Sequence, residues 1–354
     1  MKLSDILKKI QQTQNQSQKI DLPETSKETS DEKFIQQQSL DFDKIYADSI
    51  NIIKNLFKEL SSQKQSIYID DVVSASKNII KAIYQDINKM LLYSCYSTFE
   101  SYIYAHSVNV GIYSAVIGIS KNLNEQELEE LTLCALLHDI GMNDYLNIAH
   151  KPYKLTEPEF EEIKKHSEII KKYIETFQIS YSLKQKILLV VSQVHERCNA
   201  SGYPKKLKCE EIDLFAKIIS IADVYEAMTH PRPYRERILP HDAIVSLVKQ
   251  AQTELDSQLV KLFVDKISIF PVGSYVKLNT GEIARVIAAN PSFPVRPKVK
   301  IILTSEKLPP KQTEIINLAE VSSINIVEAV DETKIDTTDK KLILQLKAQR
   351  WWVR

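Results

Sequence analysis

Four of the seven histidines, His106, His138, His166 and His195, fall in separate segments of helical periodicity, and Asp139 directly follows His138. Another aspartate, Asp223, lies in the apolar run Ile221-Ala222-Asp223-Val224-Tyr225. A carboxylate is costly to bury unless it is paired or meets a cation. Neutral imidazole and carboxylate together suit Fe, Mn, Zn, Co or Ni, and a carboxylate can also bridge two ions. Residue types and spacing leave a second reading open. Any one of these histidines could be a packed or capped side chain, and Asp223 could cap a helix or pair with an arginine.

The elements that must position these residues are helices. From about Ser39 to Leu262 apolar residues recur near a 3.6 period, as in Ile45, Ile50, Ile53 and Leu56-Phe57. Asn124 with Glu127, and Thr156 with Glu159, have the spacing of capping boxes and mark two helix starts. Later helical runs are 183–196, 214–228 and 241–250. The pattern changes near Phe270. Strands are expected at 275–278, 282–289, 299–303 and 323–327, with a turn at Asn279-Thr280-Gly281. The expected organisation is a polar, disordered segment at 1–40, an N-terminal helical region at 41–90 and a helical metal-binding domain at 91–268. A small antiparallel β module at 271–330 and a tail at 331–354 follow.

Composition narrows the function. Lys+Arg and Asp+Glu both number 46 in 354 residues, which argues against a partner that is a DNA or RNA polymer. Only 6 glycines argue against a turn-rich all-β protein. No apolar run approaches the roughly 20 residues of a membrane span, and no signal peptide is read, so a cytoplasmic location is expected. Cys95, Cys134, Cys198 and Cys209 form no Cys-x-x-Cys pair, so a reducing compartment is expected rather than a disulfide scaffold. His150, His230 and His241 read as surface or loop residues. The aromatic run with Tyr96, Phe99, Tyr102 and Tyr104 reads as helix packing. Trp351 and Trp352 stand in a basic tail that could dock on a partner protein, as could the β module, or fold back on that module.

The words around the histidines occur in a fixed order. They are His106-Ser107-Val108-Asn109, Leu137-His138-Asp139-Ile140-Gly141, Lys165-His166, His195-Glu196-Arg197 with Ser201-Gly202-Tyr203-Pro204, and Ala222-Asp223-Val224-Tyr225-Glu226-Ala227-Met228-Thr229 with Arg232-Pro233-Tyr234-Arg235. Over roughly residues 85–265 the chain resembles the HD-GYP family of HD-domain phosphohydrolases. The resemblance implies a mainly α HD-domain bundle, and the β module looks like an extension found on some members. It implies hydrolysis of cyclic di-GMP to linear pGpG, GMP or both, by a hydroxide shared between two divalent transition-metal ions. Fe or Mn are foremost, with Zn, Ni or Co as alternatives. One ion would be held by His106, His138, Asp139 and Asp223. Asp139, the central catalytic residue, would bridge to a second held by His166 and His195. Gly202 and Tyr203 would line the substrate pocket, and Arg232 and Arg235 would meet phosphate.

The chain departs from the family pattern in ways that bear on activity. Met142 stands where Lys is common, Val194 where a second His is common, Asn199-Ala200 where Asp-Gly is usual, and Glu226 where Asp is usual. Tyr102 occupies the position of a third-metal Glu, so two metals at most are expected. The alternative function is a catalytically weak or inactive cyclic-dinucleotide receptor. A phosphohydrolase for another nucleotide, such as a cyclic GMP-AMP hybrid, is a third reading.

Overall fold

The computed structural model describes residues 40–95, 102–232, 235–337, 339–340, 342–343 and 346. The expectations for Tyr96, Phe99, Tyr234, Trp351, Trp352 and the polar segment 1–39 lie outside these residues. Two amphipathic helices come first, α1 (Phe42–Ser61) and α2 (Asp70–Gln85), followed by the short α3 (Ile87–Tyr93). Asp41 caps α1, its carboxylate accepting from the Lys44 N–H at 3.1 Å. One stripe of α1, Phe42, Tyr46, Ile53, Leu56, Phe57 and Leu60, turns inward at helical spacing.

The axis of the bundle is α4 (Tyr102–Ser120), which is apolar on all faces and correspondingly buried on nearly all of them. By length and composition it could cross a membrane, yet 83% of its most apolar window is buried inside the protein. Its neighbours are α1, α5 (Glu125–Leu137), α10 (Leu214–Thr229) and α12 (Ser257–Ile267). Between α5 and α10 the chain runs through a 3-10 turn at Ile140–Tyr145, then α6 (Leu146–Ala149), α7 (Glu157–Lys164), α8 (His166–Thr176) and α9 (Tyr181–Val191). Helix α11 (Pro240–Gln250) precedes α12. Both expected capping devices are present. The Glu127 N–H donates to Asn124 Oδ1 at 3.0 Å, and the Asn124 N–H to Glu127 Oε2 at 2.9 Å. At α7 the Thr156 N–H and hydroxyl both donate to Glu159 Oε2, each at 2.8 Å.

Five antiparallel strands form the C-terminal sheet in the order β4-β3-β2-β1-β5. They are β1 (Tyr275–Leu278), β2 (Ile283–Ala288), β3 (Lys298–Leu303), β4 (Ile315–Asn317) and β5 (Ile326–Val330). Val276, Leu278, Ala284, Val286, Val299, Ile301 and Leu318 make its core. The last strand begins three residues later than the sequence suggests. The Asn279 N–H donates to the Asn325 carbonyl, and the Asn279 side chain accepts from the Asn325 N–H and donates to the Ser323 carbonyl; these bonds hold 323–325 as a loop, so pairing begins at Ile326. The three-residue β4 was not anticipated, being too short to show alternation. Leu342 and Leu346 pack on Tyr275 and Leu303, so the described part of the C-terminal segment lies on the sheet module.

Candidate metal centre

Five separate elements deliver six side chains to one place. His106 projects from the second turn of α4. His138 caps the end of α5, and the 3-10 turn that begins at Ile140 keeps Asp139 beside it. His166 opens α8, His195 follows α9, and Asp223 lies in α10. One compact group is His106, His138 and Asp223; a second is Asp139, His166 and His195. Within each group the ligating atoms all lie within 4.8 Å of one another. Asp139 stands between the groups. Its Oδ2 is 3.5 Å from His106 Nε2, while its Oδ1 is 3.5 Å from His138 Nε2, 3.4 Å from His166 Nε2 and 3.8 Å from His195 Nε2.

The outward nitrogens fix the tautomers. His138 Nδ1 lies 2.8 Å from the Ala135 carbonyl, His166 Nδ1 2.6 Å from the Ile163 carbonyl, and His106 Nδ1 2.5 Å from Glu226 Oε2. Each of these oxygens only accepts, so each Nδ1 carries the proton and donates. A neutral ring then presents its Nε2 lone pair to the centre, as a metal ligand must. Two buried atoms here, His138 Nε2 and Asp139 Oδ1, have no hydrogen-bond partner among the described residues. Orphaned lone pairs of this kind, converging with carboxylate oxygens, fit a pair of divalent cations.

The electrostatics follow from the same contacts. Burial pushes Asp139 up, but the surrounding imidazoles outweigh it and hold the carboxyl well below the usual range. Asp223 is likewise pushed up by burial yet drawn down to about 2, first by its bond to His106. Burial lowers His195 and keeps it neutral near pH 7. For His106, burial acts downward, but Glu226 with the two aspartates raises it well above the ordinary imidazole value, so this ring must shed its Nε2 proton to ligate a cation.

Two glycines permit the close approaches. A Cβ on Gly141 would lie 2.0 Å from the His166 carbonyl oxygen, so only glycine lets the turn after Asp139 abut the start of α8. A Cβ on Gly202 would lie 2.5 Å from three backbone atoms, including the His195 carbonyl oxygen. Gly202 thereby folds the loop back onto His195, and the Tyr203 ring stacks on the His195 imidazole at 4.9 Å with planes 19° apart. The Tyr203–Pro204 peptide is cis. Glu196 is buried beneath the loop and accepts from the Lys205 and Leu207 N–H groups at 2.6 and 2.9 Å. Burial, then Asp223 and Asp139, push the Tyr203 hydroxyl well above its ordinary value, so it stays protonated.

Several expectations need correction or relocation. Cys198 and Cys209 are joined by a disulfide, against the sequence expectation. The loop closes antiparallel through an Asn199–Lys208 bridge, which brings distant cysteines together without any short Cys motif. His230 is buried, not at the surface; its ring bonds the Ser94 carbonyl at 2.9 Å because α10 ends against α3. Arg232 lies on the Nδ1 side of His106, 3.1 Å from Glu226 Oε2, with its guanidinium 5.2 Å from the Tyr102 ring centre. Arg235 donates to the Ala227 carbonyl. Neither arginine is among the six convergent side chains. Val194 is fully buried, leaving His195 as the imidazole at that corner. The Tyr102 hydroxyl donates to the Ala149 carbonyl at 2.6 Å. The contact of Glu226 with His106 was not foreseen, although its i+3 spacing from Asp223 on one helix face carried the signal.

Known proteins share this arrangement of sequence. Residues 90–259 match the HD domain, and residues 275–338 match a KOW domain associated with the HD domain. A cyclic di-GMP phosphodiesterase of Pseudomonas aeruginosa, PA4108, is 30% identical over 62% of this chain and 53% of its own length. The cyclic di-GMP phosphodiesterase PdeB of Borreliella burgdorferi is 32% identical over 59% of this chain and 54% of its own. A 3'3'-cGAMP-specific phosphodiesterase of Vibrio cholerae, numbered 3, is 28% identical over 48% of this chain and 36% of its own. The chain thus spans about half the length of the first two relatives. The match to the HD domain spans all six convergent side chains, and the relatives that share this sequence are named as cyclic-dinucleotide phosphodiesterases.

Proposed function

We propose that this protein is a metal-dependent phosphodiesterase that opens cyclic di-GMP to linear pGpG, with GMP as a further product. The observation that carries the reading is the convergence of four imidazoles and two aspartates, three of the imidazoles held through Nδ1 so that Nε2 faces the centre. Two divalent ions, Fe or Mn foremost, supply Lewis-acid chemistry there: an acidified water and compensation for charge that builds on the phosphate. His106, His138 and Asp223 would hold one ion, His166 and His195 the other, and Asp139 would serve both. Tyr203 remains a proton donor at neutral pH and lines the pocket over His195, where it can bond a phosphate oxygen or face a guanine. Met142 offers no proton to the leaving oxygen. Arg232 is held by Glu226 and Arg235 by the Ala227 carbonyl, each through Nη2, and a guanidinium carries further N–H groups that can meet phosphate.

Protein loaded with Mn2+ or Fe2+ should convert cyclic di-GMP to pGpG by chromatography, and Asp139→Ala should remove that activity. No product above a metal-only blank overturns the proposal. A parallel arm with 3'3'-cGAMP sets the substrate preference. A second reading has its own support in Val194, which leaves the second group with three ligating residues. On that reading the protein is a receptor for the same nucleotide, and calorimetry would find binding without turnover.

A further inference from the structure

His106 is gripped from both sides by a single helix. In front, Asp223 Oδ1 is 3.3 Å from its Nε2; behind, Glu226 Oε2 is 2.5 Å from its Nδ1. Both carboxylates belong to α10, one turn apart. Glu226 is 1% exposed, and a lone carboxylate could not stay charged so deep in the bundle. Its partners offset that cost. Arg232 Nη2 donates to the same Oε2 at 3.1 Å, Asn109 Nδ2 donates to Oε1 at 3.3 Å, and His230 Nδ1 is 3.3 Å from Oε1. The asparagine sits three residues after His106 on α4, so two helices are locked around one ring.

We infer that Glu226 is a positioning residue for the metal centre: a buried carboxylate that holds His106 with Nδ1 protonated and Nε2 aimed at the cation, with Arg232 and Asn109 holding Glu226 in turn. The inference rests on the metal-centre reading given above. A carboxylate behind a ligating imidazole both orients the ring and makes it a stronger donor, and losing such a partner typically weakens metal affinity about 10- to 100-fold. This gives Arg232 a task apart from any phosphate contact, since its guanidinium donates to Glu226 Oε2 and holds that carboxylate behind His106.

The test is Co2+ titration of metal-free wild type, Glu226→Gln and Glu226→Asp, followed by visible absorption and by competition with a chelator. Melting temperatures of the metal-free forms are measured alongside. Gln keeps the shape and removes the charge; Asp keeps the charge and shortens the reach. The expected result is a 10- to 100-fold loss of affinity in Glu226→Gln, at least partial recovery in Glu226→Asp, and similar metal-free melting temperatures for both. Wild-type affinity in Glu226→Gln would overturn the inference and leave the metal centre standing. So would Glu226→Asp binding as weakly as Glu226→Gln. Failure of the wild type to bind Co2+ would overturn the metal centre and this inference together.

Discussion

Replacing Gly141 by alanine tests whether a single backbone contact sets the spacing of the candidate metal centre. The added methyl would lie 2.0 Å from the His166 carbonyl oxygen, 2.9 Å from its carbonyl carbon and 3.2 Å from its Cα. These are backbone atoms at the start of α8, and no side-chain rotation relieves them. To reach an ordinary contact the start of α8 must retreat by about 1 Å or more from the turn that carries Asp139. Metal ligands tolerate displacements of only about 0.2 Å. His166 Nε2 now lies 3.4 Å from Asp139 Oδ1 and 2.8 Å from His195 Nε2, so the second group would open. Overpacking of this kind costs about 1–3 kcal/mol of stability. Gly118→Ala is the control, because its methyl would meet the ends of the Leu131 and Leu128 side chains, far from the ligands in the chain and free to rotate. Urea unfolding of the metal-free proteins and elemental analysis after loading with Mn2+ separate the two effects. Both variants should unfold at lower urea, and only Gly141→Ala should lose bound metal. Equal metal content in the two would refute the argument that this contact sets the ligand spacing.

Two further predictions concern stability. Replacing both Cys198 and Cys209 by serine should destabilise the 198–209 loop by about 3 kcal/mol on the chain-entropy model. Thiol titration of the unfolded wild type should find two free thiols before reduction and four after, and four before reduction would refute the disulfide. Asp144 accepts from Lys172 Nζ at 2.8 Å and from the Tyr173 hydroxyl. Burial pushes its carboxyl up, and these two partners together outweigh it and hold the carboxyl below its ordinary value. The unfolded chain therefore binds the proton more readily, so the contribution is full above about pH 4 and fades as pH falls through the lower folded value. Because the pair is largely solvated, Asp144→Asn should cost less than about 1 kcal/mol at pH 7. That difference should vanish in acid; a difference unchanged at pH 2 would refute the assignment.

Much of the fold and site could be read from local features. The capping boxes at Asn124 and Thr156 depend on residues three apart, and the period of the apolar residues names the helices whatever their neighbours. The ordered words around the six convergent side chains carry the family resemblance because each word records a local need. Gly141 is needed where two backbones nearly touch, and Gly202 where a loop folds back on its own histidine. What the sequence by itself could not decide depends on distances between elements far apart in the chain. The bond between His106 and Glu226 joins residues 120 positions apart, and only the packing of α4 against α10 creates it. The same packing turned His230 from an apparent loop residue into a buried one, drew Arg232 to the rear of the imidazole, and left Val194 in the core. The disulfide arose from the antiparallel closure of a loop, which has no periodicity to betray it. Ligand identity is thus written in residue type, whereas tautomer, charge balance and second-layer partners follow from tertiary contact, because a lone pair acquires its direction only when something else fixes the opposite side of the ring.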